Sequence, residues 1–239
     1  MRYLAILLVL LVSACNTQTA PRLGDGKPGL NVAIAALAGG SPDLALNVST
    51  SVLSEDPANL PALIIKGDAL SALSRPEEAS ASYAQALAAD PASISAQIGL
   101  GRLRLRTDPA QAQQLFLAVL EREPRNSVAL NNLGISYDLQ GDHGSAQAAY
   151  RKALGADPTR HATEVNLALS MALSGQAREA VPMLKRLTAG TSATRRERHD
   201  LAAAMAIVGD QDGASQILSA DLPPDQVKAA MRAYVAFGR

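Results

Sequence analysis

Few side chains in this 239-residue sequence have the types and spacing that chemistry requires. The single cysteine, Cys15, excludes an internal disulfide, a cysteine-based zinc cluster and a CxxC redox site. The three histidines, His143, His161 and His199, fit neither HExxH nor another metal-ligand spacing. No GxSxG nucleophile motif, Walker phosphate loop or dinucleotide-binding fingerprint is present. The sequence therefore predicts a protein that is not an enzyme, needs no cofactor or metal and has no small-molecule substrate.

The one chemical modification that the sequence indicates is acylation of Cys15. Arg2 supplies a positive charge, and an apolar run follows at residues 3–12. That run has the length of a signal-peptide core, whereas a membrane-spanning helix takes about 20 residues. It ends in the sequence VSAC at 12–15, where small residues directly precede the only cysteine and resemble the bacterial lipobox. The alternative is an ordinary secretory signal with an incidental cysteine.

This pattern predicts a cell-envelope lipoprotein. Residues 1–14 are the expected signal peptide, Cys15 is the expected lipid attachment site, and 15–28 has the composition of a flexible tether. Each buried methylene contributes about 0.8 kcal/mol, so several acyl chains hold the protein firmly on a membrane. Asn16 follows the cysteine, and under the enterobacterial sorting rule a residue other than aspartate favours the outer membrane, with the protein facing the periplasm.

Composition favours an all-α fold. Alanine, the best helix former, is the most frequent residue, while only 3% of the chain is aromatic and tryptophan is absent. This composition disfavours a β-sandwich or barrel. Lysine plus arginine and aspartate plus glutamate each number 22, so the net charge is zero. The chain thus has no excess of positive charge for nucleic acid, and we expect no nucleic-acid partner.

A sequence repeat indicates how the helices are organised. Pro57, Pro91, Pro124 and Pro158 follow one another at 34, 33 and 34 residues, a period typical of stacked helical repeats. The clearest copy, 127–160, resembles the tetratricopeptide repeat at Leu133, Gly134, Tyr137, Gly141, Ala146, Tyr150, Ala153 and Pro158. The prediction is an α-solenoid of about five to six helical hairpins with a C-terminal capping helix. Its segments are 29–59 (degenerate), 60–93, 94–126, 127–160, 161–194, 195–221 and a cap at 222–239, within one domain at 29–239.

The chain also resembles one particular group of repeat lipoproteins. The sequences at 131–141 (NNLGISYDLQG), 166–175 (NLALSMALSG) and 196–222 (RERHDLAAAMAIVGDQDGASQILSADL) are similar to those of the TadD family of the Flp, or tight-adherence, pilus machinery. The resemblance implies a non-enzymatic scaffold or pilotin-like factor that acts on the outer-membrane secretin or associated pilus-assembly proteins. The alternative is a general scaffold lipoprotein of envelope biogenesis or polysaccharide export.

The repeat resemblance also implies where a partner would bind, because first helices of tetratricopeptide repeats line a groove. The sixth position of three successive first helices is polar and recurs every 34 residues, as Asn132, Asn166 and Asp200. The full set of candidates for the partner-binding groove is Arg102, Arg106, Asn131, Asn132, Asp138, Asn166 and Asp200. Amides in such a strip would bind a peptide backbone, and arginines would pair with carboxylates. Alternatively, the asparagines bond neighbouring repeats and the arginines belong to a solvated face.

Overall fold

A computed structural model of the protein describes residues 28–190 and 193–237. The predicted signal peptide, Cys15 and nearly all of the tether lie outside these ranges, within which only helices, turns and irregular segments occur. The described residues fall into two compact units, an N-terminal unit at 28–124 and a C-terminal unit at 125–237. Within the described ranges, no helix is long and apolar enough to span a membrane.

The N-terminal unit consists of three helical hairpins. Its helices are α1 (Pro28–Ala38), α2 (Pro42–Glu55), α3 (Leu60–Ala72), α4 (Pro76–Ala89), α5 (Ile94–Arg104) and α6 (Pro109–Arg122). Each odd-numbered helix packs antiparallel on the helix that follows it, and successive hairpins stack through α2 on α3 and α4 on α5. Proline occupies the first turn of α2, α3, α4 and α6, where its missing N–H has no intrahelical partner to lose.

The C-terminal unit repeats the arrangement and adds one more helix. Its helices are α7 (Ser127–Leu139), α8 (His143–Ala156), α9 (His161–Met171), α10 (Ala177–Leu187), α11 (Arg195–Ile207), α12 (Gln211–Ser219) and α13 (Pro224–Phe237). Three hairpins stack through α8 on α9 and α10 on α11, and α13 packs on both α11 and α12. The predicted all-α fold of stacked hairpins is confirmed in both units.

The turns inside the hairpins share one backbone conformation. Gly40, Gly141, Gly175 and Gly209 have φ between +73° and +93°, and Ser74 has φ +58° at the equivalent place. A left-handed residue here ends the first helix and reverses the chain, and glycine adopts it without the clash that a Cβ atom causes. Ser74 therefore carries backbone strain that the four glycines avoid.

Replacing Ser74 by glycine is expected to stabilise the N-terminal unit. The substitution removes the cost of left-handed serine, and the gain should be about 0.5–1 kcal/mol after the greater freedom of glycine in the unfolded chain is included. Ser51→Gly is the matched control, since Ser51 is exposed in the interior of α2, where glycine should cost a similar amount. Urea unfolding midpoints measure both changes, and a lower midpoint for Ser74→Gly would contradict the prediction.

A correlated pair of positions sets the distance between the helices of a hairpin. The largest residue of the second helix is Tyr83, Phe116, Tyr150, Leu184 or Leu218 in successive repeats, and each is buried. The first helix offers glycine opposite the three aromatic rings: a Cβ atom at Gly67, Gly101 or Gly134 would lie 2.6, 2.6 or 2.4 Å from the ring. At the equivalent first-helix positions of the two leucine repeats stand Ala168 and Ala202. A wide ring thus goes with glycine, and the smaller leucine goes with alanine.

Candidate partner-binding surface

The two arginine candidates lie in the N-terminal unit. Arg102 is half-buried in α5, and Arg106 is exposed just beyond the end of that helix. Arg102 acts on Asp68 of α3, which accepts a 2.5 Å hydrogen bond from the Tyr83 hydroxyl. Burial raises the pKa of Asp68, while the Tyr83 hydrogen bond and the Arg102 charge oppose that rise. Arg102 therefore has a role inside the repeat stack, whereas Arg106 faces solvent.

The asparagine candidates lie on first helices of the C-terminal unit. Asn166 of α9 donates a 3.0 Å hydrogen bond from Nδ2 to Oδ1 of Asn131 of α7, and both side chains are buried. The Arg196 guanidinium of α11 donates in turn to Oδ1 of Asn166 at 3.3 Å. Asn132, beside Asn131, is 3% exposed. A line of polar contacts thus joins three successive first helices, as the 34-residue recurrence suggested.

Asp138 is the centre of a second polar network. Its carboxylate accepts hydrogen bonds from the Tyr150 hydroxyl of α8 at 2.8 Å and from the Ser170 hydroxyl of α9 at 2.7 Å. Nδ1 of His143, the first residue of α8, lies 2.8 Å from the same carboxylate. Asp138 is only 8% exposed, so its oxygens point into the junction of α7, α8 and α9. This carboxylate ties two repeats together.

Asp200 is the most enclosed of the candidates. It is 2% exposed on α11, and burial raises its pKa to about 7, against the attraction of Arg196. The nearest cationic atom, Nε of Arg196, is 3.7 Å from Oδ2, and that oxygen accepts no hydrogen bond. Burial likewise raises the pKa of Tyr234 on α13 to about 12, and the charge of Asp200 adds to the rise. Asp200 and Tyr234 thus face each other from α11 and α13.

The arrangement can form hydrogen bonds and ion pairs between stacked hairpins. Among the candidates, Asn131, Asn166, Asp138 and Asp200 lie at contacts between helices of the C-terminal unit, while Arg102 and Arg106 belong to the N-terminal unit. Their contacts correspond to the alternative in which polar side chains bond neighbouring repeats. Binding of a partner by these residues stays a prediction.

Several residues of these networks were not among the candidates that the sequence indicated. They are His143, Ser170, Arg196 and Tyr234. For Arg196 a signal existed, because it precedes Asp200 by four residues and so lies on the same face of α11. For Ser170 and His143 the sequence carried none, since they lie 32 and five residues from Asp138 and show no recurring spacing.

Removing one amide of the line should separate the two roles. Asn166→Ala leaves the buried Asn131 Oδ1 without its donor, so we expect the free energy of unfolding to fall by about 1–3 kcal/mol. Gln216→Ala is the control, because Gln216 is an exposed amide on α12 of the same unit. Urea denaturation measures both. An unchanged midpoint for Asn166→Ala, together with weakened binding of a partner, would favour the open-groove role instead.

The hairpins, their turn glycines and their aromatic–glycine pairs agree with a comparison against protein families. A tetratricopeptide-repeat model matches residues 30–94, 64–108 and 106–161, which together cover more than half of the chain. The chain belongs to the tetratricopeptide-repeat family. Tetratricopeptide repeats are protein-binding modules, so the coarse function that follows is a scaffold for protein–protein interaction. No curated protein sequence matches the chain significantly.

Solved structures share this tetratricopeptide fold. PilW, described as a widely conserved type IV pilus biogenesis factor, is 22% identical with a TM-score of 0.72, over 85% of this chain and 96% of PilW. Pseudomonas aeruginosa pilF is 17% identical with a TM-score of 0.67, over 86% and 95% of the two chains. A thermophilic tetratricopeptide-repeat protein of Thermus thermophilus is 20% identical with a TM-score of 0.64, over 74% and 97%. At these identities the likeness establishes the fold.

Proposed function

We propose that the protein is a non-enzymatic scaffold in the assembly of Flp-type, or tight-adherence, pili, as its resemblance to the TadD family implies. The observation that carries the proposal is the joint occurrence of a lipobox-like VSAC sequence and an array of tetratricopeptide hairpins. The tail at 196–222, which bears much of the resemblance, contains the hairpin of α11 and α12. Similarity in fold to PilW, a pilus biogenesis factor, gives further support.

The proposed location is the periplasmic face of the outer membrane, with the chain anchored through lipid on Cys15. A tether of about 13 residues has an r.m.s. reach of about 20 Å, so the repeat units can meet partners close to the membrane. The proposed partners are the pilus secretin or proteins associated with it. In this arrangement the anchor brings the scaffold to the membrane, and the repeats supply the binding surface.

Deletion of the gene followed by complementation tests the proposal. We expect the deletion strain to lose surface Flp-type pili and tight adherence while it grows normally. The wild-type gene should restore both, whereas Cys15→Ser should fail to incorporate a palmitate analogue and should restore neither. Normal pili on the deletion strain in electron micrographs would contradict the proposal. A general envelope defect alongside normal pili would favour the alternative of a general envelope scaffold.

A further inference from the structure

The carboxylate of Asp200 is an unusual group to find inside a hairpin stack. The equivalent positions of the two preceding repeats hold the neutral amides of Asn132 and Asn166. Asp200 is as buried as they are, yet its Oδ2 accepts no hydrogen bond. An ionised carboxylate in such a place costs free energy unless a cation and hydrogen bonds compensate it, and a protonated one costs far less.

The charged and titratable groups around Asp200 compensate it poorly. On its own helix, Arg196 lies 3.7 Å away and also binds Asn166 of α9, while Glu197 adds a repulsive charge. Glu197 is itself directed to His161 of α9, at 3.1 Å. The remaining groups on the neighbouring helices are turned elsewhere: Glu164 of α9 pairs with Arg186 of α10, and Lys185 of α10 and Asp212 of α12 are exposed.

The helix α13 encloses Asp200 from the remaining side. Tyr234 of α13 faces the carboxylate, and Tyr234 and Val227 are buried in the apolar core formed with α11 and α12. Partly buried Ala230 and Met231 extend the same face of α13. The burial of Asp200 therefore depends on whether α13 is docked.

We propose that α13 is a proton-dependent cap: it stays docked on α11 while the Asp200 carboxyl is neutral, and ionisation of that carboxyl favours its release. Release exposes Asp200 to water and uncovers the apolar residues of α11 and α12 that α13 protects. The proton that leaves Asp200 passes to solvent, and no other group needs to react. The proposal concerns the C-terminal unit alone and holds whether or not the protein assembles pili.

The direction of the pH dependence follows from linkage. In the docked state burial raises the pKa of Asp200 to about 7, from an ordinary value of 3.8. Docking is therefore fully favoured below the pKa of the exposed carboxyl and is lost as the pH rises through the docked pKa. The docking equilibrium should fall by up to about tenfold per pH unit in the interval between the two values, and it should level out above about pH 7.

His199, the neighbour of Asp200, titrates with the opposite effect. Burial lowers the pKa of His199, whose Nε2 lies 3.6 Å from Asp221. Its protonation at acidic pH opposes folding of α11, which would partly mask the effect of Asp200. The test must therefore compare variants at each pH and not rely on the wild-type profile alone.

Hydrogen exchange of α13 peptides tests the proposal on the full chain. Protection factors, corrected for the intrinsic pH dependence of exchange, are measured between about pH 5 and pH 8 for the wild type, Asp200→Asn and Asp212→Asn. We expect protection of α13 to fall as the pH rises in the wild type and in Asp212→Asn, but to stay level in Asp200→Asn. The same slope in Asp200→Asn and the wild type would overturn the proposal.

A second measurement needs no variant to fold. Carbon-detected NMR of the aspartate carboxyls in the wild-type chain gives the pKa of Asp200 directly, once its signal is assigned. A value near 7, accompanied by chemical-shift changes in α13 with the same midpoint, supports the cap. A value close to the ordinary 3.8, or α13 signals that do not change with the titration, overturns it.

Discussion

Asp138→Ala is expected to lower the free energy of unfolding by about 3–5 kcal/mol, one of the largest effects of any single substitution in the C-terminal unit. The change leaves the hydroxyls of Tyr150 and Ser170 without their acceptor in a buried site, and it removes the partner of His143. Each stranded buried donor costs about 1–3 kcal/mol. Urea denaturation followed by circular dichroism measures the loss.

Tyr150→Phe is the matched control for this network. It removes one donor to Asp138 but leaves the buried ring in place, so it should cost only about 1 kcal/mol. A smaller loss for Asp138→Ala than for Tyr150→Phe would contradict the network. If Asp138 instead served mainly to contact a partner, Asp138→Ala would leave the unfolding midpoint nearly unchanged and would weaken binding.

The periodic part of the fold was predictable because it depends on local features. Prolines every 33 or 34 residues, small residues where helices cross and glycines in the turns each act within a single hairpin, so a single copy such as 127–160 reveals them. Segment 29–59 had lost most of the pattern, yet α1 and α2 form a hairpin there. A left-handed turn at Gly40 and the buried Ala45 meet the steric requirement, and the other consensus residues are not needed for it.

The side-chain networks were less predictable because they depend on contacts between repeats. The repeat register places Asn131 and Asn166 on first helices, but it does not say how closely the next helix covers them. In the structure the two amides bond each other, and Asp138 is enclosed by residues from three helices. The burial of Asp200 has the same origin, because it requires α13, which lies outside the repeat pattern.

Gly134→Ala is expected to destabilise the protein by about 1–3 kcal/mol. A Cβ atom at this position would lie 2.4 Å from Cε1 of Tyr150 and within 2.8 Å of two more ring atoms. The ring is fully buried and its hydroxyl is held by Asp138, so it has little room to move aside. The strain must therefore be relieved by separating α7 from α8. Thermal and urea unfolding measure the loss.

Gly155→Ala is the control that separates this clash from helix propensity. Gly155 lies in α8 with an exposed surface, and a Cβ atom there would meet no atom within 4 Å. Alanine should therefore stabilise α8 by about 0.5–1 kcal/mol, so the two glycine-to-alanine changes have opposite signs. Destabilisation by both, to a similar extent, would contradict the packing explanation.

The neighbouring repeats supply a stricter test, because they carry alanine opposite leucine at the same two positions, as Ala168 with Leu184. Tyr150→Leu alone should destabilise the protein, since it leaves a cavity and takes a donor from Asp138. Combined with Gly134→Ala, the smaller leucine makes room for the new methyl group, so the double variant should lose less stability than the sum of the two single changes. A coupling of about 1–2 kcal/mol in this double-mutant cycle is the expected result. Strict additivity would mean that glycine and the aromatic ring are independent choices, and the correlation along the chain would then have no basis in packing.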